Sequence, residues 1–197
     1  MDQNQLISRC QLGDLDSFEE LYRLHKQKAL GTAYLIAGNR SIAEDIVQEA
    51  FIICYQQIKR LKNPQVFHIW FYRILIRAGW RMAAKHKGHV SLENSGFDPE
   101  NPGCIPFACG NQTETANDRL LIRDAVKRLD APLKTVVILY YFNEMTVKEI
   151  SKVLDCFQGT IKSRLYKARK ILRKELQDSF KNGYAFKFKG EELKENG

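Results

Sequence analysis

No stretch of this 197-residue chain is long and apolar enough to cross a bilayer. The opening residues MDQNQLISRCQLGD are polar and mildly amphipathic, so no signal peptide is expected there, and a cytoplasmic location follows unless a partner holds the chain at a membrane. Cys10, Cys54, Cys104, Cys109 and Cys156 contain no CxxC pair, and His25, His68, His86 and His89 are not spaced to complete a finger, so no metal and no cofactor are expected. An odd number of cysteines points to reduced thiols, with Cys54 and Cys156 in apolar patterns that suit small core residues. Cys104 and Cys109 flank a Pro- and Gly-containing loop, and a redox or metal role for that pair stays open as the lesser reading. A phosphate-binding Gly loop, an HExxH pair and a nucleophile constellation are all missing, which argues against an enzyme. There is no strand pattern of useful length and no internal repeat.

What is present is positive charge and helical period. The chain carries 31 Lys and Arg against 23 Asp and Glu, a net charge of +8 that favours a polyanionic partner. Residues 2–87 are helical in pattern, punctuated by cap and turn signals at Gly13-Asp14, Gly38-Asn39-Arg40 and Asn63-Pro64. Residues 88–113, GHVSLENSGFDPENPGCIPFACGNQT, have no sustained period and hold Pro99, Pro102 and Pro106, so they read as a flexible linker. From 114 to 177 helical period returns, with Pro132 suited to the first turn of a helix. The expected fold is all-α, with two small helical domains at 1–87 and 114–177, the linker between them, and a C-terminal tail at 178–197.

The segment 146–176, TVKEISKVLDCFQGTIKSRLYKARKILRKEL, reads as two helices around a tight turn at Asp155, Cys156 and Phe157. Thr146 and Glu149 form a capping-box pattern, and Val147, Ile150 and Leu154 share one face of the first helix. In the second, Ile161, Leu165, Ala168, Leu172 and Leu176 make an apolar stripe. Lys162, Arg164, Lys167, Arg169, Lys170, Arg173 and Lys174 carry charge with no acid before Glu175. A surface helix that is merely solvated intersperses Glu to gain i,i+4 pairs, and this one forgoes them, which favours a helix-turn-helix in a major groove over a plain charged face.

Two helices of the first block carry unusual choices. Residues 39–57, entered through Ser41, set Ile42, Ile46, Val47, Ala50, Ile53 and Cys54 toward a core, and show Glu44, Asp45, Gln48, Glu49 and Ile52 outside. An acidic and apolar outer face on a basic protein suits a protein partner, with a solvated helix as the even rival. In residues 67–87, FHIWFYRILIRAGWRMAAKHK, the aromatics Phe67, Trp70, Phe71, Tyr72 and Trp80 alternate with cations, and Arg73, Arg77 and Arg81 recur every fourth residue. Rings beside a cationic ridge suit an unpaired nucleic-acid strand, although Phe71 and Ile74 read as core.

These motifs resemble those of group IV, or extracytoplasmic-function (ECF), sigma-70 family RNA polymerase sigma factors. AEDIVQEAF at 43–51 is similar to the family's region 2.2, IWFYRI at 69–74 to the start of its promoter-melting helix, and 129–172 to region 4 nearly end to end. With GDLDSFEELYRLH at 13–25, four motifs stand in the family's order.

The resemblance implies a subunit that binds bacterial core RNA polymerase and directs promoter recognition, melting and initiation. It implies core-polymerase contacts at Asp45, Gln48, Glu49 and Ile52, and duplex −35 contacts at Lys162, Ser163, Arg164, Tyr166, Lys167 and Arg169. It implies that the turn before the melting helix and the helix itself hold the single-stranded −10 element, through Lys62, Asn63, Arg73, Arg77, Trp80 and Arg81. A cognate anti-sigma factor, in many cases membrane-bound, is the further partner implied. The chain departs from the family's pattern at Arg77 and Arg81, where many relatives carry Asn and Asp. It departs again at Asp155, where the turn Gly is usual, and at Phe157, where a capping Ser is usual. A stand-alone helix-turn-helix regulator is the alternative, and it would leave the segment from Trp70 to Arg81 without a role.

Overall fold

The computed structural model describes residues 2–86 and 116–179, with side chains for 2–85 and 121–176. The linker expected at 88–113, Cys104, Cys109 and the tail from 180 onward lie outside the described residues, as do the His86 side chain and His89.

Short polar punctuation builds the N-terminal block. Helix α1, Gln3–Gln11, is followed by a turn at Gly13, whose φ of +94° is open to a residue without a Cβ. Asp14 then caps α2, Leu15–Ala37, accepting from the Ser17 amide at 3.2 Å and the Ser17 hydroxyl at 3.0 Å, and pairs with Arg9 at 2.5 Å. Those Ser17 bonds hold the Asp14 carboxyl below its ordinary value. The left-handed Gly38 closes α2, and Asn39 opens α3, Arg40–Gln57, by accepting from the Ile42 amide at 3.1 Å. The cap is thus Asn39 and not Ser41, because Asn39 has the extended backbone a cap needs, φ −132°, with its oxygen on the Ile42 amide.

Asn63 repeats the device, accepting from the Gln65 amide at 2.9 Å to start the Pro64–Val66 turn that leads into α4, Phe67–His86. Helices α2, α3 and α4 pack on one another around Leu21, Ala33, Ile46, Ala50 and Leu75. The Phe51 ring sits 4.8 Å from Tyr22 and 4.8 Å from Phe71. Phe71 is core, as its period predicts, and Ile74 packs against that core.

The C-terminal block begins with α5, Ala116–Arg128, and α6, Ala131–Val137, which carries Pro132 in its first turn. A π turn, Ile138–Phe142, follows, then α7, Val147–Leu154, and α8, Gln158–Ser179. The capping box is formed in both directions, with the Glu149 amide 3.2 Å from Thr146 Oγ1 and the Thr146 amide 2.8 Å from Glu149 Oε2. Asp155 adopts φ +54° in the turn, a left-handed conformation that Asp tolerates better than most residues with a side chain. Ile161, Leu165, Ala168, Leu172 and Leu176 are all buried, as the stripe requires.

The two blocks do not stand apart. α4 packs against α7, and α2 against α5, α6 and the π turn. A single apolar cluster runs from Ile46, Phe71 and Leu75 into Leu139, Met145, Ile150 and Val153. Two domains separated by a linker in sequence therefore share a core in space.

Candidate nucleic-acid and polymerase interfaces

Burial of the apolar stripe decides which side of α8 faces out. Lys162, Ser163, Tyr166, Lys167, Lys170, Arg173 and Lys174 are exposed and Arg164 is half-buried, so the cationic face is presented as a surface. Tyr166 stands 72% exposed, a large ring on the same helix as these cations. Arg169 is differently employed. Its Nε donates to the Tyr141 hydroxyl at 2.7 Å, and its guanidinium lies 5.5 Å and 5.7 Å from the Tyr140 and Tyr141 ring centroids, so it ties α8 to the π turn.

Phe157 ends the turn before α8, and its carbonyl accepts from the Thr160 amide at 3.0 Å and the Ile161 amide at 3.2 Å. It thus occupies the position where a hydroxyl would cap, with its ring 86% exposed.

On α3 the outward residues are those that the period places there. Asp45, Gln48 and Ile52 are exposed, and Tyr55, one turn beyond Ile52, extends the patch with a ring that also meets Phe18 edge-on at 5.0 Å. Tyr55 has no place in the sequence assignment. Its signal was the i,i+3 spacing from Ile52. Glu49 is half-buried, and its carboxylate takes the Arg81 guanidinium of α4.

Along α4 and the turn before it, Lys62 and Asn63 are exposed, with the Asn63 oxygen occupied by the Gln65 amide. Arg77 is exposed. Arg73 is half-buried beneath α7, where one guanidinium nitrogen donates to the Lys152 carbonyl and Nε is buried without a hydrogen-bond partner. Trp80 is 38% exposed, and its indole N–H donates to Thr135 Oγ1 at 3.2 Å. Arg73, Arg77 and Arg81, which share a face by spacing, thus have three surroundings: a covering helix, solvent, and a carboxylate.

Polar residues inside the shared core went unnoticed in the sequence. Thr32 on α2 and Asn143 after the π turn are buried, 0% and 3% exposed, with Asn143 Nδ2 3.1 Å from Thr32 Oγ1. The Thr32 proton goes to the Lys28 carbonyl at 2.8 Å, which leaves its oxygen to accept from the amide. The available signal was a polar residue in each of two apolar runs, KALGTAYLIA and VVILYYFN.

Two histidines of the N-terminal block are held neutral. Burial, with His68 beside it, pushes His25 down to about 4, and the His25 ring lies 5.2 Å from Phe67. Burial also lowers His68, against the pull of Glu149 on α7.

Among the described residues there is no cluster of His, Cys, Asp and Glu fit for a metal ion and no helix long and apolar enough to cross a membrane. Cys10 and Cys54 are buried thiols, pushed up by burial to about 11 and about 12, and Cys156 is partly buried.

Comparison with known proteins agrees with this layout. Residues 21–88 match the family model for sigma-70 region 2, and residues 119–172 match that for sigma-70 region 4. The ECF RNA polymerase sigma factor SigW of Bacillus subtilis is 30% identical over 181 residues, covering 87% of this chain and 95% of the relative. The ECF RNA polymerase sigma-E factor of Escherichia coli K12 is 26% identical, covering 87% of this chain and 93% of the relative. Among solved structures, CnrH in complex with the cytosolic domain of CnrY superposes with a TM-score of 0.66 at 18% identity, covering 90% of this chain and 97% of that one. The sigma factor RpoE of Bartonella quintana, solved with the anti-sigma factor NepR, superposes with a TM-score of 0.65 at 20% identity, covering 81% and 96%. With both sigma-70 regions matched in order, and relatives aligned across nearly their whole length, the chain belongs to the ECF sigma factors, the sigma-70 family subunits that direct transcription initiation by RNA polymerase.

Proposed function

We propose that this sigma factor divides its work among three surfaces. The outer face of α3, with Asp45, Gln48, Glu49 and Ile52, docks on core RNA polymerase. The exposed face of α8, with Lys162, Ser163, Arg164, Tyr166 and Lys167, enters the major groove of the −35 element, while Arg169 holds α8 in place. The turn at Lys62 and Asn63, together with Arg73, Arg77, Trp80 and Arg81 of α4, receives the unpaired −10 strand. Rings there stack on bases and cations meet phosphates, which offsets the few kcal/mol spent on unstacking.

The observation that carries this reading is the face of α8, on which Lys162, Tyr166 and Lys167 are all exposed and no acid occurs before Glu175. Such a face gains by releasing counterions from a phosphate backbone. The domains are assigned as 1–87 for polymerase and −10 binding and 114–177 for −35 binding, with 88–113 as the connection. The chain catalyses no step itself, acts in the cytoplasm where polymerase works, and has a cognate anti-sigma factor as its regulator, as the NepR complex of the Bartonella protein illustrates.

Run-off transcription with core polymerase on a genomic library tests the assignment and reads out the promoter. A discrete set of transcripts, absent with core alone and sharing −35 and −10 motifs, is expected. Transcripts no different from core alone, from a chain that fails to co-elute with core polymerase, would instead favour a stand-alone helix-turn-helix regulator.

A further inference from the structure

Among the described residues of the C-terminal block, two large apolar side chains stay exposed, the rings of Phe157 and Tyr166, and both belong to α8 or to the residue that opens it. Tyr166 lies on the face already assigned to DNA, whereas Phe157 has no part in that assignment. A lone exposed ring needs no explanation by itself. Phe157, however, stands just before Gln158, where Ser, Thr, Asp or Asn would satisfy an amide of the first turn. It offers only its carbonyl, to the Thr160 and Ile161 amides at 3.0 Å and 3.2 Å. The turn that leads into it rests on Asp155 at φ +54°, a backbone that suits a residue without a Cβ better. An exposed ring, a forgone cap and a left-handed Asp thus fall within three consecutive residues. Local rules broken together at one place mark function more than packing.

We infer that Phe157 reads a thymine of the −35 element by laying its ring on the C5 methyl group, a base contact additional to those of Tyr166 and the α8 cations. The inference rests on the proposed docking of α8 in the major groove, where the N-terminal end of a recognition helix is the end that meets base edges. Phe157 stands at that end, about one turn before Lys162. Gly159 beside it adds no side chain, and a Cβ there would meet no atom within 4 Å, so packing leaves that approach open. The chemistry of the ring then selects the base. A phenyl group offers hydrocarbon and no hydrogen-bonding atom. Set over the donors and acceptors of G, C or A it would strip them of water, whereas thymine alone presents a methyl group in the major groove. Charge on the same helix commits the ring to DNA rather than to a protein: Lys162, Lys167 and Lys170 are exposed and α8 has no acid before Glu175, so a phosphate-lined duplex is the surface this helix attracts.

The test uses holoenzyme formed from core polymerase and the full chain, on a promoter found by run-off. Each thymine of the −35 element, on either strand, is replaced in turn by deoxyuridine, which lacks only the C5 methyl. Wild type should bind one such template about three- to tenfold more weakly, the weight of one methyl group in an apolar contact. Phe157→Ala should bind the unmodified promoter more weakly and lose nothing further from deoxyuridine at that position. Phe157→Leu, which keeps hydrocarbon there, should retain part of the discrimination. The exposed ring makes both changes mild for the fold, and circular dichroism with co-elution confirms folding and assembly. Lys162→Ala should weaken every template alike and keep the deoxyuridine effect. If that variant weakens binding and no deoxyuridine position does, the thymine contact is overturned while the docking of α8 stands; if it weakens nothing, the docking itself has failed. An equal deoxyuridine penalty in wild type and Phe157→Ala would also overturn the contact, since the methyl would then act through DNA shape or another residue. Loss of holoenzyme assembly by Phe157→Ala, with thymine discrimination kept, would make the ring a polymerase contact instead.

Discussion

The Arg81 guanidinium on α4 and the Glu49 carboxylate on α3 form an ion pair, so one residue assigned to the −10 strand and one assigned to polymerase are each other's partner in the free chain. Both side chains keep contact with water, and exposed pairs of this kind contribute about 0.2–1 kcal/mol. Such a pair exchanges readily for intermolecular partners. Polymerase engaging Glu49 would release Arg81 toward DNA.

Reversing Asp45 and Glu49 to Lys is expected to leave the fold intact, with a stability loss of about 1 kcal/mol in thermal melts, since Asp45 is exposed and Glu49 gives up only its water-accessible pair with Arg81. Holoenzyme assembly should be abolished. A pull-down with unchanged affinity for core polymerase would return that face to the role of a solvated helix.

Replacing Lys162 or Lys167 with Ala should weaken −35 binding and leave core binding nearly intact, because both side chains point from α8 into solvent. Loss of a phosphate contact lowers the salt slope by about one across all sequences, and loss of a base contact also relaxes specificity. Wild-type transcription from a cognate promoter at moderate salt, by either variant, would count against the recognition face.

In holoenzyme, substituting Arg77 and Arg81 together should spare closed-complex formation and stop strand separation, with partial rescue on a premelted bubble. Stacking worth about 1–3 kcal/mol per base is at stake around the neighbouring Trp80 ring, along with the charges that hold the backbone. Permanganate reactivity of thymines near the start site reads the outcome, and full reactivity in the variant would make these cations structural.

Phe157→Ser should stabilise the C-terminal domain by about 0.5–2 kcal/mol, because a hydroxyl would then stand where Phe157 now offers only its carbonyl to the Thr160 and Ile161 amides. The phenyl ring lost is 86% exposed, so little burial is lost with it. Chemical denaturation measures the change, and an unchanged or lower midpoint would show that the turn cannot present a side-chain cap.

Stability should fall with acidification between about pH 6.5 and 4. His25 has an ordinary value of 6.5, and in the fold burial, with His68 nearby, holds it to about 4. Within that window the unfolded chain takes up a proton that the folded chain refuses, so stability is fully present above the window and declines as pH drops through it. His68, also lowered by burial, adds in the same direction. Melting temperatures of a His25→Gln variant, which cannot gain this charge, should follow a shallower acid limb, and an identical limb would refute the assignment.

Local rules were enough for much of this molecule. Gly13, Gly38 and Asn63 mark element ends because only certain side chains suit left-handed or cap backbones, and those preferences act within a few residues. The α8 stripe and the outer face of α3 follow from helical period, and the order of four motifs placed the family. What only tertiary structure decided is where the two domains meet. Arg73, Arg77 and Arg81 are equivalent by spacing, yet α7 covers the first, solvent takes the second and Glu49 takes the third. Thr32 and Asn143 are 111 positions apart, and nothing local to either specifies the other. Contacts of that kind depend on how whole faces pack, and a polar residue in an apolar run names the need for a partner without naming which one.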